Sequence, residues 1–171
     1  MQTTPRVLFL SRGNSTRSHM AEGFLRTRAA DLFIPASAGI EPSRPDPLAT
    51  EVMKEIGIDI RGQESKDVAQ ALREHFSYVI TFYDAAKERS PIFPFTFNLL
   101  RWSTPDPAAV TGSHKERKEA FRRVRDEIDA KIQRFLDEIG QKEQHNGHPE
   151  TCLTQDLVGV LRNGSKRTKA A

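Results

Sequence analysis

Eight consecutive residues, SRGNSTRS at positions 11–18, combine the residue types that can bind a tetrahedral anion. Gly13 and Asn14 can adopt the unusual backbone angles that turn several amide N–H groups towards one point. Arg17 can bind two anion oxygens with its guanidinium, and Ser18 can donate into the loop or cap a following helix. The predicted oxyanion-binding residues are Ser11, Arg12, Gly13, Asn14, Ser15, Thr16, Arg17 and Ser18.

The sequence around this loop favours an anion site over an ordinary turn. The apolar run VLFL precedes the loop, and Arg17 and Ser18 open an amphipathic helical pattern. The N-terminus of a helix should therefore lie behind the anion. The alternative is a simple strand–helix turn with a capping serine. Ser11 occupies the position where an attacking group would be expected.

Apolar runs and helical periodicities predict the elements that position this loop. Continuous apolar runs predict four buried parallel strands, at residues 6–10, 33–38, 78–82 and 98–102. Helical patterns cover residues 18–30, 47–56 (with Gly57 as a stop) and 67–76. A longer apolar stripe from Phe121 to Ile139 predicts a last helix, which begins with a capping box at residues 113–116 and stops at Gly140.

Strands that alternate with helices predict an α/β fold, a three-layer sandwich in which helices flank a four-stranded parallel sheet. Right-handed crossovers place the carboxyl ends of parallel strands at one edge of such a sheet. The oxyanion loop follows the first strand, so it should lie at this edge together with residues 83–94 and 103–112.

The composition bounds the class of protein. The 171 residues suffice for one domain with a sizeable core, and 37% hydrophobic with 29% charged residues is typical of soluble globular chains. No apolar run approaches the roughly 20 residues of a membrane span, and the N-terminus lacks a secretory pattern, so a cytoplasmic location is expected. The formal charge of +3 favours acidic ligands, but no nucleic-acid-binding motif or zinc-ligand spacing is present. No metal or cofactor is predicted, and the oligomeric state stays open.

The character of the chain changes towards its C-terminal end. Residues 1–140 are predicted as the folded domain, and residues 141–171 as a polar linker followed by a basic tail. Within the tail, TCLTQDLVGVL (151–161) could form a short amphipathic helix that docks on the core or on a partner. This segment contains Cys152, the single cysteine, which excludes an intramolecular disulfide.

Three segments together resemble one known family. They are VLFLSRGNSTRSHMAEGFL (7–25), SAGIEPSRPDPLATEVMKEIGIDI (37–60) and RWSTPDPAAVTGS (101–113). The chain is similar to the low-molecular-weight protein tyrosine phosphatase superfamily over about residues 6–139, and more closely to its thioredoxin-coupled arsenate reductase branch. In this superfamily a Cys-x5-Arg-Ser loop follows a strand, and the fold is a four-stranded parallel sheet flanked by helices.

The resemblance implies a role for each matching residue. Ser11 occupies the position of the nucleophilic cysteine, and Arg17 that of the arginine that chelates the oxyanion. Asn14 would hold the shape of the loop, and Ser18 would hydrogen-bond to the group at position 11. Asp106 corresponds to the general acid that protonates a leaving oxygen, although an Asp-Pro pair by itself could also be a turn.

The chain departs from the family at the reacting position. The positive field of such a loop makes a thiolate available, whereas a serine hydroxyl needs an adjacent base. Arg12 and Arg17 are not bases, and His19 lies on the predicted helix, where a packing or surface role is expected.

The departures extend to the thiol relay of the arsenate reductases. Their two further cysteines correspond to Tyr83 and Ser90 here, and the loop position before Arg17 holds Thr16. Cys152 lies outside the matched region. This alignment therefore excludes arsenate reduction by the family's disulfide route.

The first hypothesis is a protein that binds phosphate, arsenate, sulfate-like anions or a phosphorylated ligand, with lost or much reduced catalysis. Arg12 would add a second cation at the mouth of the site, unless it is an ordinary exposed arginine. The second hypothesis is an active phosphatase or reductase, which would follow if the native gene encodes cysteine at position 11 or if a base has been missed. The third is an interaction module that acts through residues 141–171.

Overall fold

The computed structural model of the protein describes residues 4–82 and 98–146. Its strands are β1 (Arg6–Ser11), β2 (Ile34–Gly39), β3 (Tyr78–Thr81) and β4 (Asn98–Arg101). Its helices are α1 (Arg17–Ala29), α2 (Pro47–Glu55), α3 (Val68–Ala71) and α4 (His114–Asn146), with a 3-10 turn at Pro107–Ala109. Helices separate β1 from β2 and β2 from β3 as predicted, and the predicted strand bounds are correct to within one residue.

The four strands form one parallel sheet in the order β2-β1-β3-β4. The central strand β1 is apolar on both faces, and its residues 7–10 are at most 1% exposed. Because all strands run in the same direction, the segments that follow β1, β3 and β4 meet at one edge of the sheet. The predicted fold class is confirmed.

Local capping sets the bounds of α2 and α4. The side chain of Asp46 accepts a hydrogen bond from the Leu48 amide at 2.9 Å ahead of α2, and Gly57 ends that turn with a φ of 79°. At α4, the Ser113 amide donates to Glu116 Oε2 at 2.8 Å and the Glu116 amide donates back to Ser113 Oγ at 3.3 Å. This reciprocal pair is the predicted capping box.

Two predicted elements differ in the structure. The helix expected at residues 67–76 ends at Ala71, because the chain turns there and carries Phe76 into the core, where it is 2% exposed. The apolar spacing came from core packing and not from a continuous helix. Strand β4 was expected to be buried, but it lies at the edge of the sheet and Leu99 is 49% exposed. An apolar run alone does not separate a central strand from an edge strand.

Residues Met1–Gln133 form one compact unit, which contains the sheet and the oxyanion loop. In it, the apolar stripe of α4 is buried as predicted at Phe121, Val124, Ile128 and Ile132. In the described ranges, every helix is either too short or too polar to cross a lipid bilayer.

Residues Arg134–Ala171 form a second unit, of which residues 134–146 are described and belong to α4. The prediction that this helix stops at Gly140 is wrong, since a glycine in an exposed helix costs only about 1 kcal/mol and the residues after it favour helix. The division at residue 140 into a domain and a tail stays a prediction. Cys152 and the predicted docking helix lie outside the described residues.

Candidate oxyanion site

The oxyanion loop connects the end of β1 to the start of α1. Ser11 is the last residue of the strand and Arg17 is the first residue of the helix. Although the loop is polar, most of its side chains are buried, with exposed fractions between 0% and 8%: Ser11, Asn14, Thr16, Arg17 and Ser18. Buried polar groups require hydrogen-bond partners, so the surroundings of the loop determine its shape.

Four successive backbone carbonyls of the loop, those of residues 12–15, accept hydrogen bonds from segments outside the loop. The donors are the backbone amides of Glu41, Ser43 and Asp46 and the hydroxyl of Ser65, at distances of 2.6–3.0 Å. Three of these donors belong to the chain that follows β2, which therefore wraps around the outer side of the loop.

These outward carbonyls determine where the amides point. In a trans peptide the C=O and the following N–H point in opposite directions, and no cis peptide occurs in the described residues. The N–H groups of residues 13–16 are therefore directed to the inner side of the loop. The Asn14 amide illustrates this direction, because it donates to the Ser11 hydroxyl oxygen at 3.2 Å. Such a concave group of amides has the geometry of the nests in which proteins bind anions.

Asn14 holds the loop in this shape. Its φ of 45° lies in the left-handed region, which asparagine tolerates better than most residues. Its side-chain oxygen accepts from the Lys66 amide at 2.7 Å, and its side-chain nitrogen donates to Ser18 Oγ at 2.9 Å. The side chain is fully buried. The structure thus supplies a physical basis for the shape-holding role that the resemblance implied.

Gly39, at the end of β2, was not singled out from the sequence. A Cβ atom at this position would lie 2.8 Å from both the Arg12 carbonyl oxygen and the Asn14 amide nitrogen. The loop can therefore pack against β2 only because residue 39 lacks a side chain. Nothing in the sequence indicated the other residues that shape the loop, because only the tertiary structure brings them to it. These residues are Ser43, Ser65 and Lys66.

The hydroxyl of Ser11 lies at the centre of this arrangement, 2.8 Å from the hydroxyl of Ser18. Within the described part of the chain, its hydrogen bonds go to Ser18 and to the Asn14 amide. No described carboxylate or imidazole hydrogen-bonds to it. His19 lies within α1 and is 1% exposed, and burial lowers its pKa, with Glu22 opposing that effect.

Arg17 joins the loop to the ends of two other strands. Its NH1 group donates to the carbonyls of Phe82 at 3.1 Å and Thr104 at 2.9 Å, which follow β3 and β4. Its NH2 group donates to Asp106 Oδ2 at 3.2 Å. Asp106, 89 residues away in sequence, is therefore brought to the oxyanion loop. Its other oxygen accepts from the Ala108 amide at 3.1 Å, so the turn-forming role applies as well.

Arg12 differs from Arg17 in its surroundings. Its side chain is 60% exposed, and its Nε donates to Glu41 Oε2 at 3.1 Å. It lies on the surface beside the loop. This position agrees both with a second cation at the mouth of the site and with an ordinary exposed arginine. Tyr83, Ser90 and Cys152 lie outside the described residues. In residues 4–82 and 98–146, no three His, Cys, Asp or Glu side chains come together as a metal site.

The fold and this loop define a class of protein. The sequence pattern of the family described as low molecular weight phosphotyrosine protein phosphatase matches residues 6–145. The chain belongs to this family, and the resemblance noted in its sequence is confirmed.

Several similar relatives and solved structures are arsenate reductases. The arsenate reductase of Halalkalibacterium halodurans is 40% identical over 131 residues, which are 77% of this chain and 94% of that protein. The arsenate reductase of Bacillus subtilis strain 168 is 36% identical with the same coverage. Among solved structures, an arsenate reductase in the phosphate-binding state has a TM-score of 0.69 and 30% identity, covering 79% of this chain and 98% of the other.

The tyrosine phosphatase Wzb from Escherichia coli K30, solved in complex with sulphate, shares the fold. Its TM-score is 0.64 at 20% identity, and the similarity covers 80% of this chain and 99% of that one. The same architecture thus occurs in both phosphatases and arsenate reductases.

Proposed function

We propose that this protein binds phosphate, arsenate or a similar tetrahedral oxyanion, free or as part of a phosphorylated ligand, in the loop of residues 11–18. We further propose that its catalysis is lost or much reduced. The observation that carries the proposal is the set of inward amides of residues 13–16 around a serine hydroxyl, beside the buried guanidinium of Arg17. The phosphate-bound state of a similar arsenate reductase supports the ligand class.

The hydrogen bonds of Ser11 support binding rather than reaction. Its oxygen accepts from the Asn14 amide, and Ser18 Oγ in turn accepts from the Asn14 side chain. If the Ser18 hydroxyl donates to Ser11, the Ser11 proton is left to donate to an anion in the loop. A nucleophilic serine requires the opposite, a neighbouring group that accepts this proton.

The charge at position 11 also favours binding. A cysteine thiolate there would place a negative charge next to an incoming dianion and would repel it. The neutral hydroxyl of Ser11 removes that repulsion while the amides and Arg17 remain. The substitution therefore suits a protein that retains the anion rather than one that transforms it.

The test combines calorimetry with a turnover assay. We expect the wild-type protein to bind phosphate and arsenate and to hydrolyse an aryl phosphate no faster than the buffer does. Ser11→Cys should bind phosphate more weakly and should gain phosphatase activity, since Asp106 already lies beside Arg17. Ser11→Ala is the control, which should lack activity. Aryl phosphate turnover by the wild type that disappears in Ser11→Ala would contradict the proposal.

The position of Asp106 favours a second candidate, an active enzyme whose native residue 11 is cysteine. Asp106 Oδ2 lies 3.2 Å from the Arg17 guanidinium, so an acid is available beside the oxyanion loop. The residue that the native gene encodes at position 11 decides between the two candidates, since Ser11→Cys is expected to be active under both. The interaction role of residues 141–171, the absence of nucleic-acid and membrane partners and the cytoplasmic location stay predictions.

A further inference from the structure

Lys131, on the helix α4, makes a set of hydrogen bonds that a solvated surface lysine does not make. Its ammonium donates to the Ser103 carbonyl at 2.8 Å, to Thr104 Oγ1 at 2.7 Å and to Glu127 Oε1 at 2.6 Å. Its side chain is only 16% exposed. An ammonium group has three N–H donors, and here each of them has an acceptor.

Two of these acceptors belong to the segment that holds Arg17. Thr104 is 4% exposed, and its carbonyl accepts from Arg17 NH1 at 2.9 Å. Its hydroxyl lies 3.2 Å from both the Trp102 carbonyl and Glu127 Oε1. Asp106, the carboxylate partner of Arg17, follows two residues later. A continuous series of hydrogen bonds therefore runs from Lys131 through Thr104 to the guanidinium.

The hydrogen bonds from Lys131 anchor residues 103 and 104, and these residues need an anchor because they follow an edge strand. β4 pairs with β3 on one side, and its four residues are exposed or half-buried. The sheet therefore holds the chain after β4 less firmly than the chain after β1. Glu127 lies one turn before Lys131 on α4, in the favourable Glu-to-Lys order, and it keeps the ammonium directed at residues 103–104.

We propose that Lys131 is a positioning residue for the oxyanion site, which acts by fixing the Ser103–Thr104 backbone against which Arg17 is aligned. The proposal rests on the anion-binding function proposed above. The apolar stripe that predicted the last helix gave no information on Lys131, so the sequence contained no sign of this role. Lys131 does not touch the loop itself, and its effect on an anion passes through Thr104 and Arg17.

The test compares Lys131→Met with Lys118→Met. Lys118 lies on the same helix, is 24% exposed and pairs with Glu51 and Glu55, away from the oxyanion loop. Each variant is measured for phosphate affinity by calorimetry and for the Arg17 Nε–H signal by NMR of the ligand-free protein, assigned with Arg17→Lys. We expect Lys131→Met to shift the Arg17 signal and to weaken phosphate binding roughly three- to tenfold, because a loosened support misplaces the guanidinium. Lys118→Met should change neither.

An Arg17 signal that is the same in Lys131→Met as in the wild type would overturn the proposal, and so would an equal shift in Lys118→Met. If the wild type binds no phosphate, the proposed function fails, while the Arg17 signal still decides the role of Lys131. If Lys131→Met does not fold, Thr104→Val takes its place, because it removes the hydroxyl acceptor of Lys131 and keeps the backbone. A shifted Arg17 signal then supports the proposal, and an unchanged signal overturns it.

Discussion

Two arginine-containing clusters of this protein differ in how they compensate charge. In the first, Arg17 is buried at the oxyanion loop, where it pairs with the carboxylate of Asp106 and also donates to the uncharged carbonyls of Phe82 and Thr104. In the second, on the surface between α2 and α4, Glu55 pairs with Lys118, Arg122 and Arg125 at 2.7–3.2 Å. Carbonyls orient a guanidinium without neutralising it, so a carboxylate provides only part of the hydrogen bonding of Arg17, whereas the second cluster is built from ion pairs. The first arrangement suits an anionic ligand, and the second suits helix docking.

The largest expected effect separates the two clusters directly. Arg17→Ala should weaken phosphate binding by about 100-fold or more, since it removes charge-assisted hydrogen bonds from a buried site. Arg122→Ala, in the Glu55 cluster, should leave phosphate binding unchanged. Calorimetry with phosphate measures both. Equal losses in the two variants would mean that net charge, and not the geometry of the loop, governs binding.

Gly39→Ala tests whether the shape of the loop matters as much as its charge. The added Cβ would lie 2.8 Å from loop backbone atoms, so the loop must move, and phosphate binding should weaken by about tenfold. Gly62→Ala is the matched control, because a Cβ there meets no atom within 4 Å. An unchanged phosphate affinity in Gly39→Ala would show that the nest tolerates displacement.

Asp106→Asn should act in the opposite direction and strengthen phosphate binding a few-fold. The carboxylate of Asp106 is hydrogen-bonded to Arg17, so it competes with an incoming anion and repels it. Asp126→Asn, which alters the carboxylate paired with Arg125 in the second cluster, should have no such effect. A titration with phosphate at constant ionic strength makes the comparison. Weaker binding in Asp106→Asn would show that Asp106 supports the site instead.

The smallest expected effect is the contribution of the second cluster to the stability of the fold, which should depend on pH. Hydrogen bonding from Arg122, with a contribution from Lys118, lowers the pKa of Glu55 from its ordinary 4.5 to about 2. The ionised Glu55 therefore stabilises the fold above about pH 4.5, and this contribution is lost as the pH falls towards 2. Because the cluster is at the surface, the contribution should not exceed about 1 kcal/mol.

Glu55→Gln should accordingly lower the melting temperature slightly at pH 7, and the difference from the wild type should shrink as the pH approaches 2. Phosphate affinity at pH 7 should not change. Thermal unfolding over this pH range provides the measurement. If the difference in melting temperature between the wild type and Glu55→Gln grew as the pH fell, ionised Glu55 would not be the stabilising form.

The sequence was most informative where interactions are local. The helix α2 begins at residue 47 as predicted, Gly57 marks its end, and Ser113 with Glu116 forms the capping box of α4. Each of these signals depends on residues a few positions apart. Where a pattern mixed local and distant causes, as at Phe76 after α3, the prediction failed.

The candidate site shows the same division. The eight loop residues and the strand before them were recognisable, because a nest, a helix start and an arginine follow one another in the chain. The role of Asp106 was expected only from the resemblance to a family, and its pairing with Arg17, 89 residues away, was not predicted. Nothing in the chain pointed to Gly39 or Lys131, whose roles depend on atoms of distant segments.

By itself, therefore, the sequence determined the α/β architecture, the location of the loop of residues 11–18 and the presence of a serine hydroxyl at position 11. Only the tertiary structure decided that the carbonyls of residues 12–15 face outward and that Arg17 is held between the ends of β3 and β4. The reason is physical. Backbone periodicity and capping act over one or two helical turns, whereas the direction of a peptide group depends on which distant donor binds its carbonyl.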